Sequence, residues 1–559
     1  MATGTLYAVA PVDTASMTTR DGVRLDADIW RPLPRAWDET FPVLLMRQPY
    51  GRRIASTVVF AHPAWYAAHG YIVVIQDVRG RGTSAGDYSL FVHDGPDGAD
   101  TVRWAATLPG GNGRVGMYGF SYQGITQLLA AATLLAETGS ATPLAALAPA
   151  MIGYAIHDDW AYEGGSFYLA PNIGWGIQMA AEDARLAGDE DAFLALRAAA
   201  ASLPLGDAVP TQPDLLMRLA RYGHYADWAN APAPGPFWDA IAPAGRLAGL
   251  DVPVLHVGGW YDLMLPGTLA AYRDLARTAR APQALIVGPW THIDWSGRHP
   301  AQRTGPAGES DIDLHQRAWF DHWLKDGPRP GIVERPVRLF EFGADRWRDL
   351  DAWPVPVPEA FHLGGDGRAA IAVSAGTLRR ATALQGGSEI VVLDPWRPTP
   401  TTGGHSATPG GRVDRSAVDL RADVLTFTTA ALGAGLALAG DVSIELFCAC
   451  DRASFDLSAV LSEVRPDGTA INLTEGYRRV APGADTSPLR LDLRPLCARV
   501  APGHALRLSL ALASWPAHPL NTGDGTPSTG GRLIDAPITT LTVQHGGTTP
   551  SRLLLPVVQ

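Results

Sequence analysis

Cysteine is scarce in this chain: Cys448, Cys450 and Cys497 are the only three among 559 residues. Three thiols cannot build a disulfide framework. No C-x-x-C pair and no histidine cluster has the spacing of metal ligands. The sequence therefore predicts neither a metal site nor a bound cofactor.

The signals that direct a chain to a membrane or to nucleic acid are also missing. The first residues lack a charged segment followed by an apolar one, so no signal peptide is expected. No apolar run reaches the roughly 18 residues that a spanning helix needs. The net charge is −11, without a dense run of lysine and arginine, which argues against nucleic-acid binding. We expect a cytoplasmic protein with no membrane or nucleic-acid partner; a homodimer stays open.

The hydrophobic pattern divides a chain that is too long for one compact core. Short apolar strands alternate with helical segments over residues 1–150 and again over 251–352, which is typical of a parallel sheet with crossover helices. Helix-forming residues dominate 151–250 and predict a helical cap inserted into this core. After a proline-rich linker that begins at Trp353, residues 353–559 carry short alternating stretches between turns, which predict an all-β sandwich.

The most informative stretch is Gly-Met-Tyr-Gly-Phe-Ser-Tyr-Gln-Gly, which ends at Gly124. It places Ser121 between a short apolar strand (Val115 to Tyr118) and a helix-like run (Ile125 to Leu135). Such a turn lifts a serine hydroxyl above the sheet edge, as in a nucleophile elbow. Gly119 leaves room for the crowded backbone, although the second glycine of the usual motif comes one residue late. The alternative interpretation is an ordinary helix N-cap serine.

Two polar residues downstream fit the chemistry of a serine nucleophile. Asp262 and His292 each lie just past the C-terminal end of an apolar strand pattern, where α/β folds gather catalytic groups. A serine needs a base to take its proton, and the base needs a partner that fixes its tautomer. We interpret His292 as the base and Asp262 as its partner. His256 lies inside its strand, and Asp294 is expected to face solvent.

These segments resemble those of the cocaine esterase-like acyl hydrolases, which are related to X-Pro dipeptidyl peptidases, glutaryl acylases and α-amino-acid ester hydrolases. The likeness extends over nearly the whole chain. The segments that carry it are Arg47–Gly51, Asp77–Ser84, Asn112–Met117, Gly119–Gly124, Gly258–Asp262, Gly288–His292, Asp394–Trp396, Asp423–Thr426 and Arg465–Thr469. The resemblance implies an α/β-hydrolase core and a jelly-roll C-terminal domain.

The family pattern also implies roles for individual residues. It makes Ser121 the nucleophile, Asp262 the orienting acid and His292 the general base. It further implies an oxyanion hole built from the Tyr50 hydroxyl and the backbone N–H of Tyr122. The latter N–H opens a helix and so lacks a helical partner. Without the resemblance, Tyr50 would be interpreted as a half-buried aromatic residue of a turn.

The cap contains many aromatic residues, most of which we expect to pack its helices together. Trp160 and Trp175 match, by position and separation, tryptophans that line the acyl pocket in the cocaine esterase branch. Met264, two residues after the predicted acid, is expected at the same mouth. Pockets for organic ligands are largely apolar and aromatic, so all three are candidate substrate-binding residues.

The lack of acidic residues directly after Asp262 indicates which substrates the protein can bind. The α-amino-acid ester hydrolases place acidic residues there to hold the substrate ammonium, whereas this chain has a neutral wall, Leu263 to Leu265. The cap carboxylates of Asp158, Asp159 and Glu163 could hold such an ammonium, but carboxylates are common at protein surfaces and we expect these there. The sequence therefore predicts a serine esterase for small carboxylic esters with an apolar or aromatic acyl group. The alternatives are an amidase, acylase or peptidase of the same family, and a binding protein without activity.

Overall fold

The computed structural model describes residues 6–53 and 57–558. The described residues up to Leu350 build one large sheet, two short two-stranded sheets and the helices around them. In chain order, the strands of this part are β1 (Asp13–Thr18), β2 (Arg24–Trp30), β3 (Phe41–Gln48), β4 (Ile72–Asp77), β5 (Gly111–Phe120), β6 (Leu144–Ala150), β7 (Tyr162–Glu163), β8 (Ser166–Phe167), β9 (Val254–Tyr261), β10 (Gln283–Thr291), β11 (Arg298–His299), β12 (Gln302–Arg303), β13 (Val337–Glu341) and β14 (Arg346–Leu350).

Ten of these strands form one sheet in the order β1-β2-β4-β3-β5-β6-β9-β10-β13-β14. The strands from β4 to β13 in this order run parallel, while the edge pairs β1–β2, β2–β4 and β13–β14 are antiparallel. The carboxyl ends of β5, β9 and β10 therefore lie on the same edge of the sheet.

Helices cover both faces of this sheet, and further helices lie in the insert and in the C-terminal part. The helices are α1 (Pro63–Ala68), α2 (Asp94–Ala106), α3 (Tyr122–Thr138), α4 (Leu169–Leu186), α5 (Glu190–Ala201), α6 (Asp214–Arg218), α7 (Tyr225–Ala229), α8 (Pro236–Ile241), α9 (Leu265–Thr278), α10 (Ile312–Lys325), α11 (Gly331–Glu334) and α12 (Ser416–Asp419). None of the helices in the described ranges is long and apolar enough to cross a membrane.

The strand β3 shows why its sequence is apolar throughout. Neighbouring side chains of a strand point to opposite faces. Val43 and Leu45 pack into the core that contains α2 and α3. Leu44 and Met46 pack on the other face, with α1 and α10. A parallel strand that is covered on both sides needs a continuous hydrophobic run rather than an alternating one.

The helices α4 to α8 lie between β6 and β9 and form the helical insert. The segment also contains β7 and β8, a hairpin with Tyr162 paired to Phe167, so the predicted cap is not helical throughout. Two-residue strands are too short to produce a hydrophobic period. The hairpin turns at Gly164, whose φ is +54°, and a Cβ there would lie 2.1 Å from the Tyr477 carbonyl oxygen of the C-terminal part.

The C-terminal part is a second unit of mostly antiparallel strands. They are β15 (Glu359–Gly364), β16 (Gly376–Arg379), β17 (Gly387–Leu393), β18 (Val424–Thr428), β19 (Leu436–Cys450), β20 (Phe455–Val464), β21 (Ala470–Val480), β22 (Leu489–Val500), β23 (Ala505–Ala511), β24 (Thr539–His545), β25 (Arg552–Leu555) and β26 (Val557–Val558). The long β19 pairs with β22, β24, β25 and β26. The structure confirms the predicted classes: an α/β core with a helical insert, followed by a largely antiparallel β-sandwich.

Candidate active site

Ser121 is the single residue between β5 and α3, and its backbone is unusual. Its φ is +57° and its ψ is −130°, a conformation that costs energy in any residue other than glycine and that clusters at functional sites. The side chain of Ser121 makes no hydrogen bond to the start of α3, so the alternative of an ordinary N-cap serine is wrong. The turn has the strand-to-helix geometry of a nucleophile elbow.

Two glycines make room for this elbow. Gly119 has a φ of +138°, and a Cβ there would lie 2.5 Å from the Cβ of Gln123. A Cβ on Gly124 would lie 2.4 Å from the side chain of Ile152, just after β6. The second glycine thus comes one residue later than usual because the first turn of α3 packs against the end of the neighbouring strand.

The structure brings Asp262 and His292 to Ser121. The strand β9 ends at Tyr261 and β10 ends at Thr291, so both side chains leave the same sheet edge. His292 Nε2 lies 3.0 Å from Ser121 Oγ, and His292 Nδ1 lies 2.7 Å from Asp262 Oδ1. Since a carboxylate can only accept, Nδ1 carries a proton and Nε2 is left to accept one from the serine.

The two predicted oxyanion donors lie beside Ser121. Tyr122 is the first residue of α3, so its N–H has no acceptor within the helix. Tyr50 follows β3 and lines the same cleft as Ser121. Burial raises the pKa of Tyr50 to about 12, against the opposing effects of Trp175, Arg81 and Ser121. The phenol therefore keeps its proton and can donate it.

A cleft of about 1600 Å³ opens above Ser121. Core, insert and C-terminal part all contribute to its walls, and the predicted Trp160, Trp175 and Met264 are among the lining residues. The rings of Trp160 and Trp175 are 4.6 Å apart, and the indole Nε1–H of Trp175 donates to the Tyr50 hydroxyl over 3.2 Å. A hydrogen bond thus connects the apolar wall to the predicted oxyanion donor.

Comparison with known proteins places this arrangement in a family. The model of X-Pro dipeptidyl-peptidases of the S15 family matches residues 21–294, and that of the X-Pro dipeptidyl-peptidase C-terminal non-catalytic domain matches residues 333–554. Cocaine esterase of Rhodococcus sp. (strain MB1 Bresler) is 30% identical, with 99% of each chain covered. The chain belongs to the cocaine esterase-like family of serine hydrolases.

Solved structures show the same fold for this cocaine esterase-like hydrolase over almost its full length. An aminopeptidase from a Thaumarchaeota archaeon superposes with a TM-score of 0.78 at 22% identity, covering 98% of this chain and 96% of its own. An α-amino acid ester hydrolase superposes with a TM-score of 0.75 at 22% identity, covering 98% and 97%. Identities this low show the common fold alone.

The two residues that the sequence excludes from the triad, His256 and Asp294, lie where it predicted. His256 is fully buried inside β9, with Nε2 3.1 Å from Gln283, and burial lowers its pKa to about 4. Asp294 is exposed and accepts the backbone N–H of Ser296. Of the described residues that line the cleft, Asp294 alone carries a carboxylate.

Two expectations about the insert and the neutral wall are wrong. Asp159 is buried and Glu163 is half-buried rather than at the surface, and neither lines the cleft. Asp159 accepts the backbone N–H groups of Tyr154 and Ala155, and burial raises its pKa to about 6. Leu265 packs into the core, so Leu263 and Met264 alone represent the neutral wall in the cleft.

Sequence reasoning missed the part of the cleft that the C-terminal sandwich supplies. His405 and the segment that follows it, together with Pro516 and Ala517, line the cavity. These residues follow no strand-end pattern and lie more than a hundred residues from His292 in the chain. No group of three or more His, Cys, Asp or Glu side chains in the described ranges is arranged to hold a metal ion.

Proposed function

We propose that this hydrolase is a serine esterase that cleaves small carboxylic esters with an apolar or aromatic acyl group through an acyl-enzyme. The observation that carries the proposal is the 3.0 Å contact between Ser121 Oγ and His292 Nε2, with Nδ1 of the same imidazole held by buried Asp262. The contact lies in a cleft with tryptophan on one side.

The chemistry follows from the tautomer of His292. Ser121 Oγ attacks the ester carbonyl carbon while its proton moves to His292 Nε2. The Asp262 carboxylate stabilises the imidazolium that forms and does not itself take up the proton. The tetrahedral intermediate then collapses, the C–O bond to the alcohol breaks, and His292 gives its proton to the leaving alkoxide. Water repeats the same steps on the acyl-enzyme and releases the acid.

The negative charge on the carbonyl oxygen needs donors that are in place before the reaction. The Tyr122 N–H and the Tyr50 hydroxyl serve this purpose in the proposal. Preorganised donors of this kind act on the charge that develops in the transition state, and one of them typically contributes about a hundred- to a thousandfold in kcat.

The walls of the cleft favour a neutral acyl group. Trp160, Trp175, Leu263 and Met264 line it with apolar surface. A substrate ammonium held against these four residues would find no carboxylate among them, although Asp294 lines the cleft elsewhere, and an unpaired buried charge is costly. This argues for simple esters over esters of α-amino acids. Amides and peptides remain the competing substrates, because the same groups can protonate a leaving nitrogen.

A substrate panel tests the proposal. We expect burst kinetics and turnover with p-nitrophenyl esters, with kcat/KM rising from acetyl to butyryl or benzoyl as the acyl group fills the apolar wall. The matched p-nitroanilides should be much poorer substrates. Faster turnover of the anilides would assign the protein to the amidase or peptidase alternative. No turnover of either series would favour a binding protein.

A further inference from the structure

The C-terminal sandwich holds the chain segment on both sides of Asp262, the proposed acid of the triad. Tyr261, which precedes Asp262, donates its hydroxyl to the carbonyl oxygen of Asn472 in β21 at 3.1 Å. Arg494 in β22 donates to the carbonyl oxygen of Asp262 at 2.9 Å. It also donates to the carbonyl oxygen of Leu263 at 2.9 Å.

A local irregularity aims the Arg494 side chain at this segment. In the β19–β22 ladder, Gly440 pairs with Leu496 and Val442 pairs with Leu493, so Arg494 and Pro495 stand together opposite one residue. Such a β-bulge re-directs side chains and is common next to active sites. Proline fits there because it has no N–H to contribute to the ladder.

Further contacts fix the position of the Arg494 guanidinium. Its side chain is 6% exposed, and its Nη2 donates to the Tyr168 hydroxyl at 2.7 Å and lies 3.4 Å from Glu163 Oε1. Burial opposes its charge, but Tyr168, Glu163 and Asp262 outweigh that effect and raise the pKa of Arg494. A permanently charged, planar donor can hold two carbonyl oxygens at once, which a lysine ammonium does less well.

The contacts are to the main chain and not to the reacting carboxylate. Asp262 Oδ1 faces His292, while Arg494 reaches the carbonyls of Asp262 and Leu263. The arginine thus fixes the segment without taking the carboxylate away from the imidazole.

We infer that Arg494 is a positioning residue for the acid of the triad: the C-terminal sandwich sets the position of Asp262 against His292 through it. The inference rests on the proposed function. The domain that supplies Arg494 matches the family model described as non-catalytic, so the inference assigns to this domain a part in the reaction beyond forming a wall of the cleft.

A double-mutant cycle tests whether Arg494 acts through Asp262. Arg494→Met removes the donors and keeps much of the volume. In the wild-type background it should lower kcat for p-nitrophenyl butyrate about a hundredfold, the size of effect expected from misplacing a catalytic group by about 1 Å, with KM changed less than threefold. In the Asp262→Asn background the same substitution should lower kcat less than threefold, because residues of one unit are not additive.

The control is Arg507→Met. Arg507 is a buried arginine of β23 that pairs with Asp419 inside the sandwich, at 3.1 Å. Arg507→Met should lower the melting temperature as much as Arg494→Met does, but it should not lower kcat more than threefold. If Arg494→Met does not fold, Arg494→Lys takes its place in the cycle: it keeps a charge beside Glu163, and its kcat should fall about tenfold in the wild-type background only.

Two results would overturn the inference: a kcat within threefold of wild type in the folded Arg494 variant, or an equal loss in both backgrounds. Labelling of the wild-type serine by a fluorophosphonate is measured first. Absence of that label on Ser121 would overturn the proposed function and this inference with it. If Ser121 of the wild type is labelled but the losses in the double-mutant cycle are additive, only the role of Arg494 is overturned.

Discussion

The phenol of Tyr50 has two neighbours at once, the indole N–H of Trp175 and the hydroxyl of Ser121. Tyr50→Phe deletes one hydroxyl and little volume. We expect kcat to fall by roughly a hundred- to a thousandfold, with KM nearly unchanged, because the hydrogen bond strengthens only as the oxyanion forms. Steady-state kinetics with p-nitrophenyl esters measures both constants.

The control for Tyr50→Phe is Tyr225→Phe. Tyr225 is a buried tyrosine of the insert whose hydroxyl donates to the Thr211 carbonyl. Loss of this hydroxyl should reduce the free energy of unfolding by about 1 kcal/mol and leave kcat unchanged. If Tyr50→Phe keeps more than about a third of wild-type kcat, Tyr50 is a packed turn residue and the second oxyanion donor is another group.

Trp175 is expected to act on the reaction through Tyr50. Its Nε1–H occupies a lone pair of the phenol oxygen, which leaves the phenolic proton free to point towards the substrate. Trp175→Phe should therefore lower kcat for a small acetyl ester about tenfold, roughly the 1 to 1.5 kcal/mol of one hydrogen bond. In the Tyr50→Phe background, Trp175→Phe should lower kcat almost no further.

Trp160→Phe is the matched comparison for Trp175. Trp160 lines the same wall, with its ring 4.6 Å from that of Trp175. Its replacement should raise KM for benzoyl esters and leave kcat for the acetyl ester nearly unchanged. Equal effects of both substitutions on kcat would contradict the orienting role of Trp175.

At the residue scale, the three predicted triad residues could be found because each follows the end of a strand. Ser121, Asp262 and His292 each follow a strand directly, and a strand pattern can be found in a sequence. The burial of Glu163 could not be predicted in this way. Its partners His405, Arg494 and His518 lie 242 to 355 residues away, and nothing local to Glu163 distinguishes a surface carboxylate from one paired across two domains.

At the element scale, the β7–β8 hairpin of the insert docks on the C-terminal sandwich through buried ionic groups. His405 lies 2.8 Å from Glu475 and 3.2 Å from Glu163, which belongs to β7. Arg494 and the Tyr168 hydroxyl also face it. Burial and Arg494 disfavour the imidazolium, but the two carboxylates outweigh them, so the pKa of His405 lies above its usual value.

This hairpin contact should make stability depend on pH in a defined direction. A histidine with a raised pKa contributes stability that is complete below its unfolded pKa of about 6.5 and that is lost as pH rises through the folded value. The difference in melting temperature between wild type and His405→Gln should therefore be largest near pH 5 to 6.5 and shrink by roughly 1–3 °C towards pH 9. Thermal scans at one fixed rate measure it.

His256→Gln is the control for this pH series. Because the pKa of His256 is lowered to about 4, its contribution increases between pH 4 and 6.5 and is constant above. Below pH 6.5 the melting-temperature difference should therefore change with pH for His256→Gln only, and above pH 6.5 it should change for His405→Gln only. A His405→Gln difference that stays constant from pH 6.5 to 9 would contradict the ionic account of the hairpin contact.

The sequence predicted elements well where they are long and periodic. The run Ile125 to Leu135 lies inside α3, and Val43 to Met46 lies inside β3. The β7–β8 hairpin was missed because its strands have two residues each. The hairpin docks on the sandwich through the ion pairs of Glu163 and the close approach of Gly164 to Tyr477, which are tertiary contacts with no local signature.

At the scale of the whole molecule, the cleft is a product of three parts of the chain. The core presents Ser121 and His292, the insert contributes Trp160 and Trp175, and the sandwich closes the wall with the segment after His405. Alternating patterns predicted that the sandwich exists, but not that it faces the nucleophile. Which surfaces of two units meet depends on side chains from both, and a pattern within one segment cannot contain that information.

The central claim is that Ser121 is the nucleophile of an esterase, and covalent labelling tests it most directly. We expect a fluorophosphonate to add one equivalent to the wild-type chain, with the adduct on Ser121 by peptide mass spectrometry, in parallel with loss of ester turnover. Ser121→Ala should fold with an unchanged melting profile, take up no label and lose nearly all turnover. A label on another residue, or ester turnover retained by Ser121→Ala, would contradict the account.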